Sequence, residues 1–345
     1  MAETIALAQT SYTERILRRV IPLLVLVLIA FGVLTVFNVS RDAQNRLYDL
    51  HNSTLDRARL AVETQMREYI SAAQRLASED RMLAYSAGRN RDETNALTAA
   101  FDLMRTPGNP YLAIRFVNRA GNIELEATNP RGQTLPQRTS EEVLRAQRLN
   151  FSSDQAFQRL MGGMTNEVVV GQFRLARNAS GQVIQPVNLS FLIYSPVFGS
   201  GGTIAGLLQI EVDATRVLSL VDDAERSFVV PQTGRYLLLT NNSGSVVADS
   251  GTRTREHLAE IEASGGNANA LPLYNAIVRM DRTQRDDFLL LLNETRVVSG
   301  QSLSFQGAAE TGWRLFLVDD ALNVYQLSIS AVLGIVFLSI VTGFG

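Results

Sequence analysis

Two uncharged, strongly apolar runs bracket the chain, Val20–Phe37 near one end and Leu327–Gly345 at the other. A bilayer core demands about 20 apolar residues in helical form. Each run is therefore read as a membrane helix, and residues 39–326 must fold between two anchors on one side of the membrane. Arg15, Arg18 and Arg19 stand just before the first run, and clustered arginine marks a cytoplasmic flank. Asn38-Val39-Ser40-Arg41 follows it, with no small-residue cleavage site, and the run outlasts the core of a signal peptide. The expected layout is a cytoplasmic tail at 1–19, a first span at 20–38 and a second span at 326–345. Residues 39–326 would lie outside the cytoplasmic membrane, with both termini in the cytoplasm and lipid around the spans.

Composition then removes most chemistry. The chain has no cysteine, and all 32 of its basic residues are arginine. Disulfides, thiolate catalysis, cysteine-ligated metals, Walker phosphate loops and Schiff bases are excluded together. Only two histidines occur, His51 and His257, too few for a three-histidine zinc site. No catalytic, metal or cofactor set can be written, and a net charge of −2 argues against a nucleic-acid partner. Three arginines and two acids precede the first run, which leaves the outer segment weakly acidic at 29 against 32. Seven Asn-x-Ser/Thr sequons begin there, at Asn38, Asn52, Asn150, Asn178, Asn188, Asn241 and Asn293; glycosylation is open.

From Val39 to Met104 the chain has no proline, one glycine and dense helix formers, which predicts a long helix over 39–106. Leu55, Ala58, Val62, Met66, Tyr69, Ala73 and Leu76 step by three and four, the seam of a helix lying on a sheet or on a partner helix. Thr106-Pro107-Gly108-Asn109-Pro110 ends it. Strands are predicted at Tyr111–Asn118 and Asn122–Thr128, a helical stretch opened by Ser140 at Ser140–Met161, and strands at Val168–Leu175, Val187–Pro196 and Thr203–Asp213. That is a five-stranded antiparallel sheet. After a short helix near Thr215–Glu225 the pattern recurs, with strands at Arg235–Thr240 and Val246–Asp249, a helix near Pro272–Asp281, and strands at Asp287–Asn293, Arg296–Phe305 and Trp313–Asp319. The fold class is α+β: a long helix with two antiparallel-sheet units in tandem, at 107–230 and 231–325.

Four stretches carry a family resemblance: YLAIRFVNRAGNIELEAT, GQVIQPVNLSFLIYSPVFGSGGTIAGLLQIEVDA, GRYLLLTNNSGSVVADS and ETGWRLFLVDD. Together they resemble the double Cache sensors, tandem PAS-like domains found outside the membrane in chemoreceptors, sensor histidine kinases and diguanylate cyclases. Ser195-Pro196-Val197-Phe198, Gly206-Leu207-Leu208 and Asp213 match its closing strands, and Arg115 matches an arginine of one subgroup's first strand. The arginine and Trp-Tyr pair of the amino-acid binders is missing, Leu192 stands where that subgroup has another arginine, and Ile123 and Glu126 depart from its hairpin charges. The resemblance implies a small ligand in the membrane-distal unit, a homodimer, and signalling through both spans to an output module or cytoplasmic partner. No such module appears before Gly345. A ligand-free scaffold on the same fold is the rival reading, and an enzyme is not expected, although an absent output module could be catalytic.

Period-two alternation separates Asn188, Ser190, Leu192 and Tyr194 from Leu189, Phe191 and Ile193, and Gln209, Glu211 and Asp213 from Leu208, Ile210 and Val212. The polar face can receive a ligand or simply meet water. Arg115, Arg174, Tyr194, Gln209 and Glu211 are the candidate ligand-binding residues on it; arginine suits a carboxylate or phosphate, Glu211 a cation. Trp313 is expected in the core. His51 and His257 are expected to be solvated, and Asp222-Asp223 and Asp319-Asp320 to be turn or cap acids.

Overall fold

The computed structural model describes residues 2–86, 93–105, 109–129, 137–138, 150–163, 167–175, 189–199, 201–226, 236–240, 246–249, 288–292 and 296–320. Its helices are α1 (Ala2–Ala77), α2 (Asp80–Ser86), α3 (Glu93–Met104), α4 (Gln155–Met161) and α5 (Thr215–Arg226). Strands β1 (Tyr111–Asn118), β2 (Ile123–Thr128), β3 (Gln137–Arg138), β4 (Val169–Leu175), β5 (Leu189–Phe198) and β6 (Ile204–Asp213) form one antiparallel sheet in the order β3-β2-β1-β6-β5-β4. A second contains β7 (Tyr236–Thr240), β8 (Val246–Asp249), β9 (Phe288–Leu292), β10 (Arg296–Ser302) and β11 (Arg314–Asp320), ordered β8-β7-β11-β10-β9. The α+β class and the tandem sheets follow the pattern of alternation in the sequence.

Three expectations change. The long helix ends at Ala77 rather than running to Met104. The Ser78 amide closes the last α-helical bond to Gln74, after which the Ser78 hydroxyl takes the Arg75 carbonyl and the Glu79 amide tightens to Leu76. Such local polar bonding competes with a helix without any proline or glycine to announce it. The first sheet has six strands among the described residues, because β3 pairs with β2 through only two residues, too few for an alternation signal. Finally, Asp154 caps α4, its carboxylate accepting from the amides of Ala156 and Phe157. The expected opening at Ser140, the helix near Pro272–Asp281, His257 and Leu327–Gly345 all lie outside the described residues.

Every member of the expected α1 stripe, from Leu55 to Leu76, is buried, while Leu60 beside it is 63% exposed. The stripe packs on the chain's own two sheets. It shares one core with Ile114, Phe191 and Ile210 of the first sheet and Leu315 and Leu317 of the second, each large side chain contributing about 1.5–3 kcal/mol. Trp313, just before β11, is 1% exposed and closes the join, its ring 4.3 Å from Phe173 and 5.6 Å from Phe191 in the first sheet. The Ala309 amide also donates to the Val168 carbonyl at 2.8 Å. The sheets are thus held together by α1, by an aromatic cluster and by backbone.

Two glycines have steric reasons. Gly121 has φ +83° at the β1–β2 turn, and a Cβ on Gly206 would sit 2.5 Å from the Phe116 ring. The same turn engages one sequon: Asn150 Nδ2, the atom a glycan would join, donates to Ala120 O and Asn122 Oδ1.

Val20–Phe37 lies within α1, with Val20, Leu23, Val27, Phe31, Leu34 and Phe37 exposed. Among the described residues no helix is long and apolar enough to cross a membrane.

Candidate functional site

Strand register builds one polar row across the first sheet. Arg115 on β1 stands opposite Glu126 on β2 and Gln209 on β6, and Gln209 stands opposite Tyr194 on β5. Period two then puts Glu211 and Ser190 on the same face, away from α1. Arg115 Nε donates to Glu126 Oε1, and its Nη1 donates to Gln209 Oε1 at 3.1 Å and Glu211 Oε2 at 3.0 Å. The Ser190 hydroxyl donates to Glu211 Oε1 at 2.9 Å, and Gln209 Nε2 to the Tyr194 hydroxyl at 3.1 Å.

All six side chains are buried, Arg115 at 9% exposure and Gln209, Tyr194 and Ser190 fully. A solvated sheet face is therefore the wrong expectation. Burial alone would lower the Arg115 pKa, but Glu211 and Glu126 outweigh it and hold the guanidinium charged, above its ordinary value. At the other end the same face turns apolar: Val117, Leu192, Leu207 and Tyr194 pack with Phe157 and Leu160 of α4. The face is thus half hydrophobic wall and half ion network.

Four of the five expected residues meet here: Arg115, Tyr194, Gln209 and Glu211. The fifth, Arg174, pairs through its backbone with Ser190, and its side chain is outside the described residues. Glu126 and Ser190 were missed. Hairpin register around Gly121 sets Glu126 opposite Arg115, so the pair was readable once the turn was fixed.

A second polar cluster contradicts the reading of His51 and Asp319. His51, fully buried on α1, has Nδ1 2.8 Å from the Ser299 hydroxyl on β10 and Nε2 3.4 Å from Asp319 Oδ2 on β11. Asp319 is a buried strand residue, not a turn acid. A neutral ring protonated on Nε2 donates to the carboxylate and accepts from the hydroxyl. Serine, histidine and aspartate converge as in a hydrolase, but all three are sealed between helix and sheet, where no substrate reaches. Gln301 Nε2 to Asp56 Oδ1 at 3.2 Å and the Ser304 amide to Glu63 Oε1 at 3.0 Å continue this seam. Among the described residues no group of three or more acids and histidines gathers to hold a metal.

No protein-family model matches the chain, and no curated protein matches it in sequence. Solved structures do. The periplasmic sensory domain of the Campylobacter jejuni chemoreceptor Tlp1 aligns at TM-score 0.55 and 12% identity, over 82% of this chain and 98% of its own. The ligand-binding domain of Campylobacter jejuni Tlp3, in complex with L-valine, aligns at TM-score 0.54 and 15% identity, over 83% of this chain and 98% of its own. The extracellular domain of vpHK1S-Z8, named as a histidine kinase, gives TM-score 0.53 and 15% identity over 86% and 98%. The chain has the double Cache fold. In that fold the Arg115 row lies on the first of two sheets, and His51 fastens the long helix to the second.

Proposed function

We propose that the chain is a membrane-anchored extracytoplasmic sensor, whose first sheet, membrane-distal in the two-span topology, binds a small molecule. The buried row of Arg115, Glu126, Gln209, Glu211, Ser190 and Tyr194 carries this reading. Six polar side chains on a sheet face away from the packing helix are a costly way to fill a core and a fitting way to orient a ligand. Tlp3, of the same fold, holds L-valine, which supports a small organic ligand here. Arg174, paired through its backbone with Ser190, is included in the proposed site. Because Arg115 already serves Glu126, Gln209 and Glu211, an anion would have to displace carboxylates. The cluster therefore favours a neutral or cationic group, with the apolar remainder against Leu192 and Val117.

Anchoring is supported by the exposed apolar side chains of α1 between Val20 and Phe37, with residues 39–326 outside and a second span at 326–345. Binding would shift the population between two packings of α1 against the sheets, and the spans of a homodimer would carry the shift to an output module or partner. The sensing part itself has no catalytic role. A second reading, a ligand-free scaffold, draws on the same network: its arginine is satisfied by the chain's own acceptors.

A thermal-shift screen of the full chain against amines, amino acids, carboxylates, nucleobases and sugars separates the two. A sensor gives a saturable rise in melting temperature that Tyr194→Phe and Ser190→Ala, each losing one hydroxyl, weaken. A folded chain with no shift across the panel is a scaffold.

A further inference from the structure

A polar groove lies on the opposite side of the first sheet from the Arg115 row. It holds about 490 Å³ between α1, the end of α3, the start of β1 and the start of α5. Two guanidiniums line it, Arg75 from α1 and Arg216 from α5. Both are exposed, and neither makes a hydrogen bond or ion pair among the described residues. Tyr69 and Tyr111 line it as well, their rings edge to face at 6.1 Å. Each ring is buried, and neither hydroxyl has a hydrogen-bond partner among the described residues. Among the described residues the only acid in the lining is Glu68, which accepts from Gln65 Nε2 at 2.8 Å.

The charges leave a remainder. Among the described lining residues two arginines stand against one glutamate, an excess of one positive charge that a monoanion cancels, with Asp213 outside the lining but close enough to act on the Tyr69 phenol. Burial is the main force that pushes the Tyr111 phenol up to about 12 and raises that of Tyr69, although Arg75 and Arg216 respectively pull the other way. Both phenols are therefore O–H donors at neutral pH. Two charged forks and two hydroxyl donors suit a carboxylate, while Glu68 opposes a second negative charge. Ala72, Leu103 and Pro110 supply an apolar wall.

We infer that this groove is a binding site for a small monocarboxylate, separate from the sheet-face site. Its carboxylate sits between Arg75 and Arg216, and its short apolar tail lies along Ala72 and Leu103. The location gives it a task. Arg75 belongs to the long helix, and Arg216 to the helix that leads from β6 towards β7. A bound carboxylate ties the two helices and tunes how the first sheet holds α1.

Calorimetric titration of the full chain with butyrate tests this. The expected result is saturable binding that weakens at least ten-fold in Arg75→Gln and in Arg216→Gln. Arg119→Gln, whose Nε donates to the Ile204 carbonyl at the far end of the sheet, leaves it unchanged, and Tyr194→Phe reports whether the signal comes from the sheet-face row. Butyramide, the uncharged counterpart, gives no heat, and inorganic phosphate binds more weakly than butyrate. Absence of saturable binding overturns the inference, as does affinity that survives both arginine changes or butyramide binding equal to butyrate. Tighter binding of phosphate overturns the assignment to monocarboxylates. Loss of the signal in Tyr194→Phe would mean that butyrate occupies the sheet-face site instead.

Discussion

Each sheet buries a polar cluster, but on opposite sides relative to α1. In the first sheet the Arg115 network faces away from the helix, and the helix-facing side is apolar. In the second, Ser299, Gln301 and Asp319 face the helix and are bonded or drawn to His51 and Asp56. Two copies of one fold thus divide the work. Under the proposed function, the polar groups turned away from the helix answer to a ligand, whereas those turned towards it fix where the helix sits. The contrast is one of charge as well. The first cluster gathers a guanidinium and two carboxylates, and the second sets one histidine beside one carboxylate and a hydroxyl.

The largest effect is expected where charge is concentrated. Arg115→Met leaves Glu126 and Glu211 buried together without their cation, and should cost about 3–5 kcal/mol in a urea titration of the full chain. A change below about 1 kcal/mol would mean that this row is wetter than its burial indicates.

Alkaline pH probes where α1 meets the first sheet. The Tyr111 phenol is raised from 10.0 to about 12, and that of Tyr69 is raised too. Between those values the unfolded chain releases a proton that the folded chain keeps, so the unfolded state is favoured as pH climbs. Stability is fully present below pH 10 and falls from there to about pH 12, by roughly 2–3 kcal/mol for Tyr111 alone. Denaturation midpoints, followed with phenolate absorbance, check this. Early ionisation of both phenols in the folded chain would contradict it.

For the second sheet, Ser299→Ala removes the hydroxyl that His51 Nδ1 meets and should cost about 1–3 kcal/mol. It should also speed amide exchange at the His51 turn of α1 more than around Tyr69. Equal effects at both places would remove the division between the sheets. Tyr194→Phe is the mildest change, deleting one buried hydrogen bond from Gln209 for about 0.5–1.5 kcal/mol, with ligand response falling further than stability does.

The strands of the first sheet were legible because β5 and β6 alternate with period two, those of the second because short apolar runs such as Tyr236–Thr240 and Phe288–Leu292 end at turn residues, and the α1 stripe because every third or fourth residue is apolar. Within the site, Arg115, Tyr194, Gln209 and Glu211 could be placed on one face by alternation alone. Glu126 needed the cross-strand register. His51 could not be found that way. Its partners are Ser299 and Asp319, some 250 residues on, and no local pattern in α1 distinguishes a histidine facing a sheet from one facing water. The end of α1 at Ala77 was hidden for a related reason, since only the Ser78 hydroxyl on Arg75 and the tightened Glu79 amide bond to Leu76 mark it.

Hydrogen exchange of the full chain, with and without each compound of the ligand panel, tests the division of labour most directly. The expected result is that at least one compound slows exchange in 111–118, 189–198 and 204–213, and alters it in α1 near His51. Protection confined to 296–302 and 314–320, or no change at the first sheet with any compound, would contradict it.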